Sequence, residues 1–173
     1  MTSLAALVFT ALAAFQAPAP PSGLTFTPPA SWQPRPAAST MRVAEFVVPK
    51  AAGDAEDGEL VVYFFGGSGG SVDANIDRWV GQMQQPAAAP ATPHREALTI
   101  HGLKVTTVDV AGTYIAEVRP GATERHIKPG FRLRAAVIET PRGPYYIKMT
   151  GPAKTMAAAD ADFKKFLATA RYQ

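Results

Sequence analysis

Apolar and polar residues along the chain follow two periods, one typical of strands and one typical of helices. Runs of β-branched and aromatic residues, bounded by glycine, proline and acidic residues, predict strands. The predicted strands span residues 41–48, 59–65, 97–100, 104–110, 131–140 and 145–150. An acidic, glycine-containing turn at 51–58 separates the first two, which predicts a hairpin.

Two segments have helical spacing instead. The first spans 71–84, and its apolar stripe consists of Val72, Ile76, Trp79, Val80 and Met83. Ser71 is a suitable N-cap for it, and Asp73 is placed well against the positive end of the helix dipole. Thr155 is the predicted N-cap of a second helix, with a stripe of Met156, Ala159, Phe163, Phe166, Leu167 and Ala170.

The order of these elements predicts an α+β fold. Neighbouring strands are separated by short connections, which favours a central antiparallel sheet with the two helices packed on its faces. A chain of 173 residues suits one domain with a substantial core, which we place at residues 23–173. A Pro/Ala-rich stretch at 85–93 is interpreted as a solvated loop, because neither half alone has enough strands to close a core.

The N-terminus carries an apolar run at 4–15, too short to span a bilayer and typical of a signal peptide. We therefore predict a signal peptide at 1–17, a proline-rich spacer at 18–22, export to the periplasm or the extracellular space, and no stable membrane span after processing. No Lys or Arg precedes the run, and Pro18 follows the expected cleavage region. An uncleaved anchor or a misplaced start codon therefore stays open.

Composition excludes several kinds of site. The chain has no cysteine, so it has no disulfide, no thiolate nucleophile and no cysteine-based metal site. Its three histidines, His94, His101 and His126, lack the spacing of a metal motif, and the acidic residues at 54–59 lack the pattern of a calcium loop. We accordingly expect no metal and no cofactor.

One motif suggests nucleophilic catalysis. The segment Gly66-Gly67-Ser68-Gly69-Gly70 matches G-x-S-x-G between a predicted strand and a predicted helix, and Asp109 and His126 follow in the order of a serine triad. However, no HGGG-type oxyanion segment precedes it, and the helix is predicted to begin at Ser71 rather than directly after the serine. A flexible connection between strand and helix is the preferred interpretation.

Charge is unevenly distributed. Residues 35–77 hold seven acidic and three basic residues, a local net charge of −4, whereas residues 119–154 hold eight basic and two acidic residues, a local net charge of +6. The whole chain has a formal net charge of only +3, and no basic stripe is interleaved with aromatic residues, so nucleic-acid binding is not indicated. An anionic envelope component or a protein is the expected partner, and an ordinary solvated face is the alternative.

Strand alternation places the basic residues. A hairpin turning about Arg142 sets Val137 opposite Ile147 and Ala136 opposite Lys148. One face, predicted to be the core, then carries Phe131, Leu133, Ala135, Val137, Ile147 and Met149. The other face carries the predicted binding site, to which the preceding loop adds two residues. The predicted binding residues are Arg132, Arg134, Lys148, Arg125 and Lys128.

The segments 70–79, 102–105, 111–114 and 146–152 resemble a group of small, uncharacterised bacterial exported proteins. The order of strands and helices, with the closing segment at 163–167, resembles more distantly the PsbP-like sandwich, the fold also of DcrB-like periplasmic proteins. The resemblance implies a non-catalytic accessory or binding domain and assigns no functional residue. A small serine esterase-like hydrolase using Ser68, Asp109 and His126 is the alternative.

Overall fold

The structure, a computed structural model, describes residues 23–85, 92–119 and 121–173. The predicted signal peptide and spacer lie outside these residues, as does most of the predicted loop at 85–93. The strands in the described residues are β1 (Leu24–Thr25), β2 (Gln33–Arg35), β3 (Arg42–Val48), β4 (Gly58–Phe64), β5 (Met83–Gln84), β6 (His94–Ile100), β7 (Leu103–Glu117), β8 (Arg125–Ile138), β9 (Tyr145–Pro152) and β10 (Arg171–Tyr172). The helices are α1 (Val72–Val80), α2 (Ala153–Ala158) and α3 (Asp160–Ala168).

Eight of these strands form one antiparallel sheet. Seven of them lie in the order β2-β3-β4-β9-β8-β7-β5, and β6 pairs with the same edge of β7 as β5 does. The short strands β1 and β10 join the two ends of the described chain in a separate antiparallel pair. The predicted class, α+β with a central antiparallel sheet and helices on its faces, holds in outline, but strands dominate more than the sequence pattern indicates.

The two faces of the sheet carry separate apolar clusters. Alternate residues of β3, β4, β8 and β9 face α2 and α3, where Leu60, Ile147 and Met149 pack against Phe163 and Phe166. The intervening residues face α1, where Leu133 and Val137 pack with Ile76, Trp79 and Tyr146. The central strands are thus apolar on both sides, and each side has its own helical cover.

Helix α1 begins where the sequence predicts it and ends before the predicted C-terminal residue. The Ser71 hydroxyl accepts a hydrogen bond from the Ala74 amide at 3.1 Å, and Asp73 lies in the first turn. The helix ends at Val80, and Met83 belongs to β5 instead of the helix. Its side chain is nevertheless buried in the same cluster as the helical stripe, which explains why it continued the apolar pattern.

The second predicted helix is two helices, and Thr155 is not its N-cap. Thr155 lies inside α2 and is buried. Its backbone amide and its hydroxyl both donate to Asp54 Oδ2, at 2.9 and 2.6 Å. The carboxylate that satisfies the first turn of α2 therefore comes from the turn between β3 and β4, a long-range contact that local spacing does not reveal.

The register of β8 and β9 differs from the predicted one by a single residue. Val137 lies opposite Tyr146, and Ala136 lies opposite Ile147. The cause is the turn: the Gly143 amide donates to the Thr140 carbonyl at 3.0 Å, so the turn is centred between Pro141 and Arg142 instead of on Arg142. Ile147 and Met149 consequently lie on the face opposite to Phe131, Leu133, Ala135 and Val137.

We predict that Trp79→Ala lowers the free energy of unfolding by about 3–5 kcal/mol, because it removes a large buried side chain from the α1 cluster. Trp79 is 4% exposed and packs edge-on against Tyr146. Urea unfolding followed by circular dichroism measures the effect. Met41→Ala is the control, since Met41 is 51% exposed, and its expected effect is within about 0.5 kcal/mol. Equal effects of the two variants would contradict the assigned core.

Candidate functional site

The serine of the glycine-rich segment lies in the exposed connection between β4 and α1. The Ser68 hydroxyl donates to the Phe65 carbonyl at 2.6 Å, and the Ser68 amide donates to the same oxygen at 3.1 Å. Gly66, Gly67 and Gly70 have positive φ values, so the segment is a series of glycine-dependent turns. The segment therefore has the local geometry of a connection.

The structure does not bring the other two members of the predicted triad together. Asp109 on β7 pairs in register with Arg134 and faces α2 and α3. His126 on β8 pairs with Ala116, whose face is that of Tyr114 and therefore of α1. Asp109 and His126 thus lie on opposite faces of the sheet, and no hydrogen bond joins either of them to Ser68 among the described residues.

Two of the predicted binding residues belong to an ion-pair cluster on the α2/α3 face. Arg132 Nε donates to Asp109 Oδ1 at 2.7 Å, and a second guanidinium nitrogen binds Asp109 Oδ2. Arg134 lies between Asp109 and Asp160 of α3, and its guanidinium is 5.4 Å from the centre of the Phe163 ring. We refer to these four charged residues as the arginine–aspartate cluster.

The electrostatics of this cluster fit a role in stability. The hydrogen bond that Arg132 donates to Asp109 raises the pKa of Arg132, whereas burial lowers the pKa of Arg134 against the raising effect of Asp109. Two arginines and two aspartates neutralise one another beneath α3. The prediction that Arg132 and Arg134 form an open anion-binding edge together with Lys148 is therefore wrong, because Lys148 projects from the opposite face of the sheet.

The α1 face carries a cavity of about 700 Å³ beside the C-terminal end of α1. We call it the aromatic groove. It is lined by Tyr63, Phe65, Arg78, Trp79, Gly81, Gln82, Tyr114, Ile115, Ala116, Glu117, Arg125, Tyr146 and Lys148. The Tyr63 and Phe65 rings stack in parallel at 5.9 Å, and Phe65 lies 5.5 Å from the Tyr146 ring. One wall of the groove is therefore a continuous aromatic surface.

A smaller cavity of about 240 Å³ adjoins the groove, since Tyr63, Tyr114, Glu117 and Lys148 line both. We call it the charged pocket. Its further charged residues are Arg42, Glu56, Asp57, Glu59 and Lys128, with His126 beside them. In this pocket Lys128 pairs with Glu56, and Arg42 pairs with Glu59 at 3.5 Å. The cations of β3 and β8 that reach this pocket are thus already neutralised.

Lys148 lies where the two cavities meet. It occupies the interior strand β9 between Val61 and Ala135, both buried. Its ammonium donates to Gln82 Oε1 at 2.6 Å and to the Tyr114 hydroxyl at 3.2 Å, and Nζ is 4.9 Å from the centre of the Tyr114 ring. Both hydrogen-bond acceptors are neutral. No carboxylate of the described residues forms an ion pair with it.

Burial controls the protonation of these groups. Desolvation, reinforced by the charges of Arg78 and Arg42 and opposed by Glu59, lowers the pKa of Lys148 to about 8. Desolvation, reinforced by Tyr63 and Glu59, raises the pKa of Tyr114 to about 12. At neutral pH the groove therefore presents a positive charge that the protein itself stabilises poorly, next to a protonated phenol.

The other cations of the groove also have no carboxylate partner within the described ranges. Arg78 donates to the Asn75 side-chain oxygen at 2.7 Å, and Arg125 is exposed at the start of β8. The single carboxylate of the groove, Glu117, accepts a hydrogen bond from the Gly121 amide at 2.8 Å. Three cations and one carboxylate give the groove a local net charge of +2.

Of the five predicted binding residues, the structure places Lys148 and Arg125 in the aromatic groove and Lys128 in the charged pocket. The other polar and aromatic residues of the site were not predicted from the sequence: Arg78, Gln82, Tyr63 and Tyr114. A lysine within the apolar run at 145–149 was a signal for an unusual cation, but its neighbours come from the turn after α1, from β4 and from β7, which only the fold brings together.

Other candidate features have simpler environments. His101 lies at the turn between β6 and β7, where its ring contacts the Ala170 carbonyl at 2.9 Å. Among residues 23–85, 92–119 and 121–173, no group of three or more His, Asp or Glu side chains is arranged to hold a metal ion. None of the helices in the same part of the chain is long and apolar enough to cross a membrane.

Proteins of known structure resemble this chain in fold and share little sequence identity with it. A protein of unknown function, PA94 from Pseudomonas aeruginosa, superposes with a TM-score of 0.53 at 16% identity, over 87% of this chain and 97% of its own. Cyanobacterial PsbP (CyanoP) from Synechocystis sp. PCC 6803 gives a TM-score of 0.48 at 8% identity, over 91% of this chain and 97% of its own. The match to the Pseudomonas protein shows a similar fold. No protein-family model matches the sequence, and no curated protein is significantly similar to it.

We predict that Asp109→Ala lowers the free energy of unfolding by about 1–3 kcal/mol, because it removes the hydrogen-bond acceptor of Arg132 and one of the two carboxylates beside Arg134. Asp73→Ala is the control: Asp73 also pairs with an arginine, Arg95, but it is 82% exposed, so its loss is expected to cost no more than about 1 kcal/mol. Urea unfolding measures both. If the Asp109 variant is the less affected, the arginine–aspartate cluster does not stabilise the fold.

The protonation of Lys148 predicts a pH dependence of stability. Between pH 8 and 10 the unfolded chain keeps this lysine protonated, since its ordinary pKa is 10.5, while the folded protein has lost the proton. Unfolding then takes up a proton, so the free energy of unfolding rises with pH in this window. In Lys148→Met this contribution is absent. Urea unfolding measures the free energy of unfolding of both proteins across this window, and the wild type should gain stability relative to Lys148→Met as pH rises. A difference in free energy that does not change with pH would contradict the buried environment assigned to Lys148.

Proposed function

We propose that the protein is an exported, non-catalytic binding domain that holds an anionic component of the envelope in the aromatic groove. The observation that supports this function is the set of three groove cations, Lys148, Arg78 and Arg125, none of which has a carboxylate partner in the described chain. Elsewhere the partly buried arginines Arg132 and Arg134 are paired with aspartates. A cavity that keeps its cations unpaired is suited to an anion from outside.

Export is supported by the apolar run at 4–15, which has the length of a signal-peptide core. The periplasm or the extracellular space is the proposed location. A binding role instead of catalysis is supported by the positions of Ser68, Asp109 and His126, which no contact joins. We therefore do not propose hydrolysis at Ser68.

The proposed binding residues divide according to the sheet face. Lys148 and Arg125 contact the anion, together with Arg78, and Lys128 adds positive charge at the adjoining pocket. Arg132 and Arg134 act on the other face, within the arginine–aspartate cluster. Replacing these two residues is therefore expected to reduce stability and is not a clean test of binding.

We predict that the purified protein is retained on an immobilised envelope fraction of its own organism at low salt. The double variant Lys148→Met/Arg125→Ala should lose most of this retention, because it removes two of the three groove cations. Retention should weaken as rising salt reduces the Debye length below about 8 Å. The measurement is the bound fraction at each salt concentration.

The matched control is Lys154→Met, since Lys154 is an exposed lysine of α2 on the opposite face. It is expected to be retained like the wild type. Protease treatment of the fraction distinguishes an acidic protein from a polymer or lipid as the retained partner. Equal retention of the double variant and the control would overturn the proposed site.

A further inference from the structure

Within the described residues, side chains accept hydrogen bonds from two of the three N–H groups of the Lys148 ammonium. The acceptors are Gln82 and Tyr114. Both acceptors are uncharged, and the flanking residues of the neighbouring strands, Val61 and Ala135, are apolar. A carboxylate oxygen would supply both the third acceptor and the missing negative charge, which makes it the complementary group for this position.

The rest of the groove is suited to an apolar body. The rings of Tyr63, Phe65 and Tyr146 form one continuous wall, and Trp79 meets Tyr146 edge-on at 6.2 Å. Tyr63 and Phe65 are only partly buried, so part of each side chain is exposed to the groove. Small-molecule sites ordinarily measure about 300–1,000 Å³ and combine such walls with a few polar groups, and the groove is of this size.

The arrangement of cations favours a single acid group over a polyanion. Among the residues that line the groove, Lys148 is the one partly buried cation, whereas Arg78 and Arg125 are exposed. A phosphate-binding site typically offers bidentate guanidinium groups at the ligand. Here the guanidinium of Arg78 is engaged by Asn75. The exposed arginines therefore attract an anion to the groove, and the lysine holds one carboxylate.

From this juxtaposition we propose that the aromatic groove binds small amphipathic monocarboxylates, with the carboxylate on Lys148 and the hydrocarbon body against the partly exposed side chains of Tyr63 and Phe65. This inference rests on the proposed function, because it assigns a ligand class to the same site. The ligand replaces the solvent that otherwise stabilises the ammonium and buries apolar surface along the aromatic wall.

Such binding is linked to protonation. A carboxylate stabilises the charged form of Lys148, so affinity should fall as pH rises through the pKa of this lysine, near 8 in the free protein. The charged and titratable groups around it are Arg42, Glu56, Asp57, Glu59, Tyr63, Arg78, Tyr114, Glu117, Arg125, His126, Lys128 and Tyr146. Burial raises the pKa values of Tyr63, Tyr114 and Tyr146, so these phenols stay protonated between pH 7.5 and 9.5.

The test is calorimetric titration of the full chain with sodium decanoate, decyltrimethylammonium bromide and sodium acetate. The two decyl compounds are used below their critical micelle concentrations. We expect saturable binding of decanoate with one molecule per chain, at least about tenfold weaker binding of the cation, which corresponds to about 1.4 kcal/mol, and no measurable binding of acetate. Decanoate affinity should fall between pH 7.5 and 9.5. Equal binding of the two decyl compounds would overturn the proposal.

Two variants of Lys148 distinguish the effect of its positive charge on binding from the effect of its deprotonation. Lys148→Met should weaken decanoate binding at pH 7 by about tenfold or more and remove its pH dependence. Lys148→Arg keeps a permanent charge, so it should bind decanoate at pH 7 but lose the decline above pH 8. Lys154→Met should behave as the wild type. Unchanged affinity in Lys148→Met, with circular dichroism confirming that the variant is folded, would contradict the assigned anchor.

Decanoate titration and envelope retention can give different results, so the failure of one proposal can be distinguished from the failure of the other. If decanoate does not bind but envelope retention still depends on Lys148 and Arg125, the ligand class is wrong and the proposed function stands. If decanoate does not bind and retention is insensitive to both residues, the groove is not an anion site and both proposals fail.

Discussion

The central strands of the sheet are apolar on both faces, and this constraint determines the rest of the architecture. Residues of β8 and β9 that point in opposite directions are equally buried, so each face needs a separate cover. Helices α2 and α3 cover one face. On the other, α1 has nine residues and is about 14 Å long, while the seven strands in line span about 29 Å. The aromatic groove lies on the face that this short helix covers, beside its C-terminal end.

The two faces also treat their cations differently. Arg132 and Arg134 project towards α2 and α3, where a charge without a partner would be costly, and Asp109 and Asp160 neutralise them. Lys148 projects towards the groove, where its hydrogen-bond acceptors are neutral and solvent has access. Three basic residues that are close in the sequence therefore have different roles, because alternate positions and neighbouring strands face different surroundings. Charge composition alone does not distinguish these roles.

Much of the fold follows from local pattern, whereas little of the candidate site does. The strands around 41–48, 59–65 and 145–150 and the start of α1 at Ser71 agree closely with the structure, since alternation and capping are local properties. Lys148 and Arg125 were identified from charge. Their surroundings were not, because Gln82, Tyr63 and Tyr114 come from three separate elements. Thr155 shows the same limit, since its carboxylate partner, Asp54, belongs to a distant turn.

The sequence by itself determined the fold class in outline, the positions of most core strands and the presence of helices that pack on the sheet, because burial periodicity within one element depends only on neighbouring residues. The tertiary structure decided which basic residues share a surface. Which residues share a surface depends on the register between β8 and β9. Because the turn is centred between Pro141 and Arg142, this register differs by one residue from the register that a turn centred on Arg142 would give. Side chains alternate with a period of two, so this single step moves Lys148 to the face opposite Arg132 and Arg134.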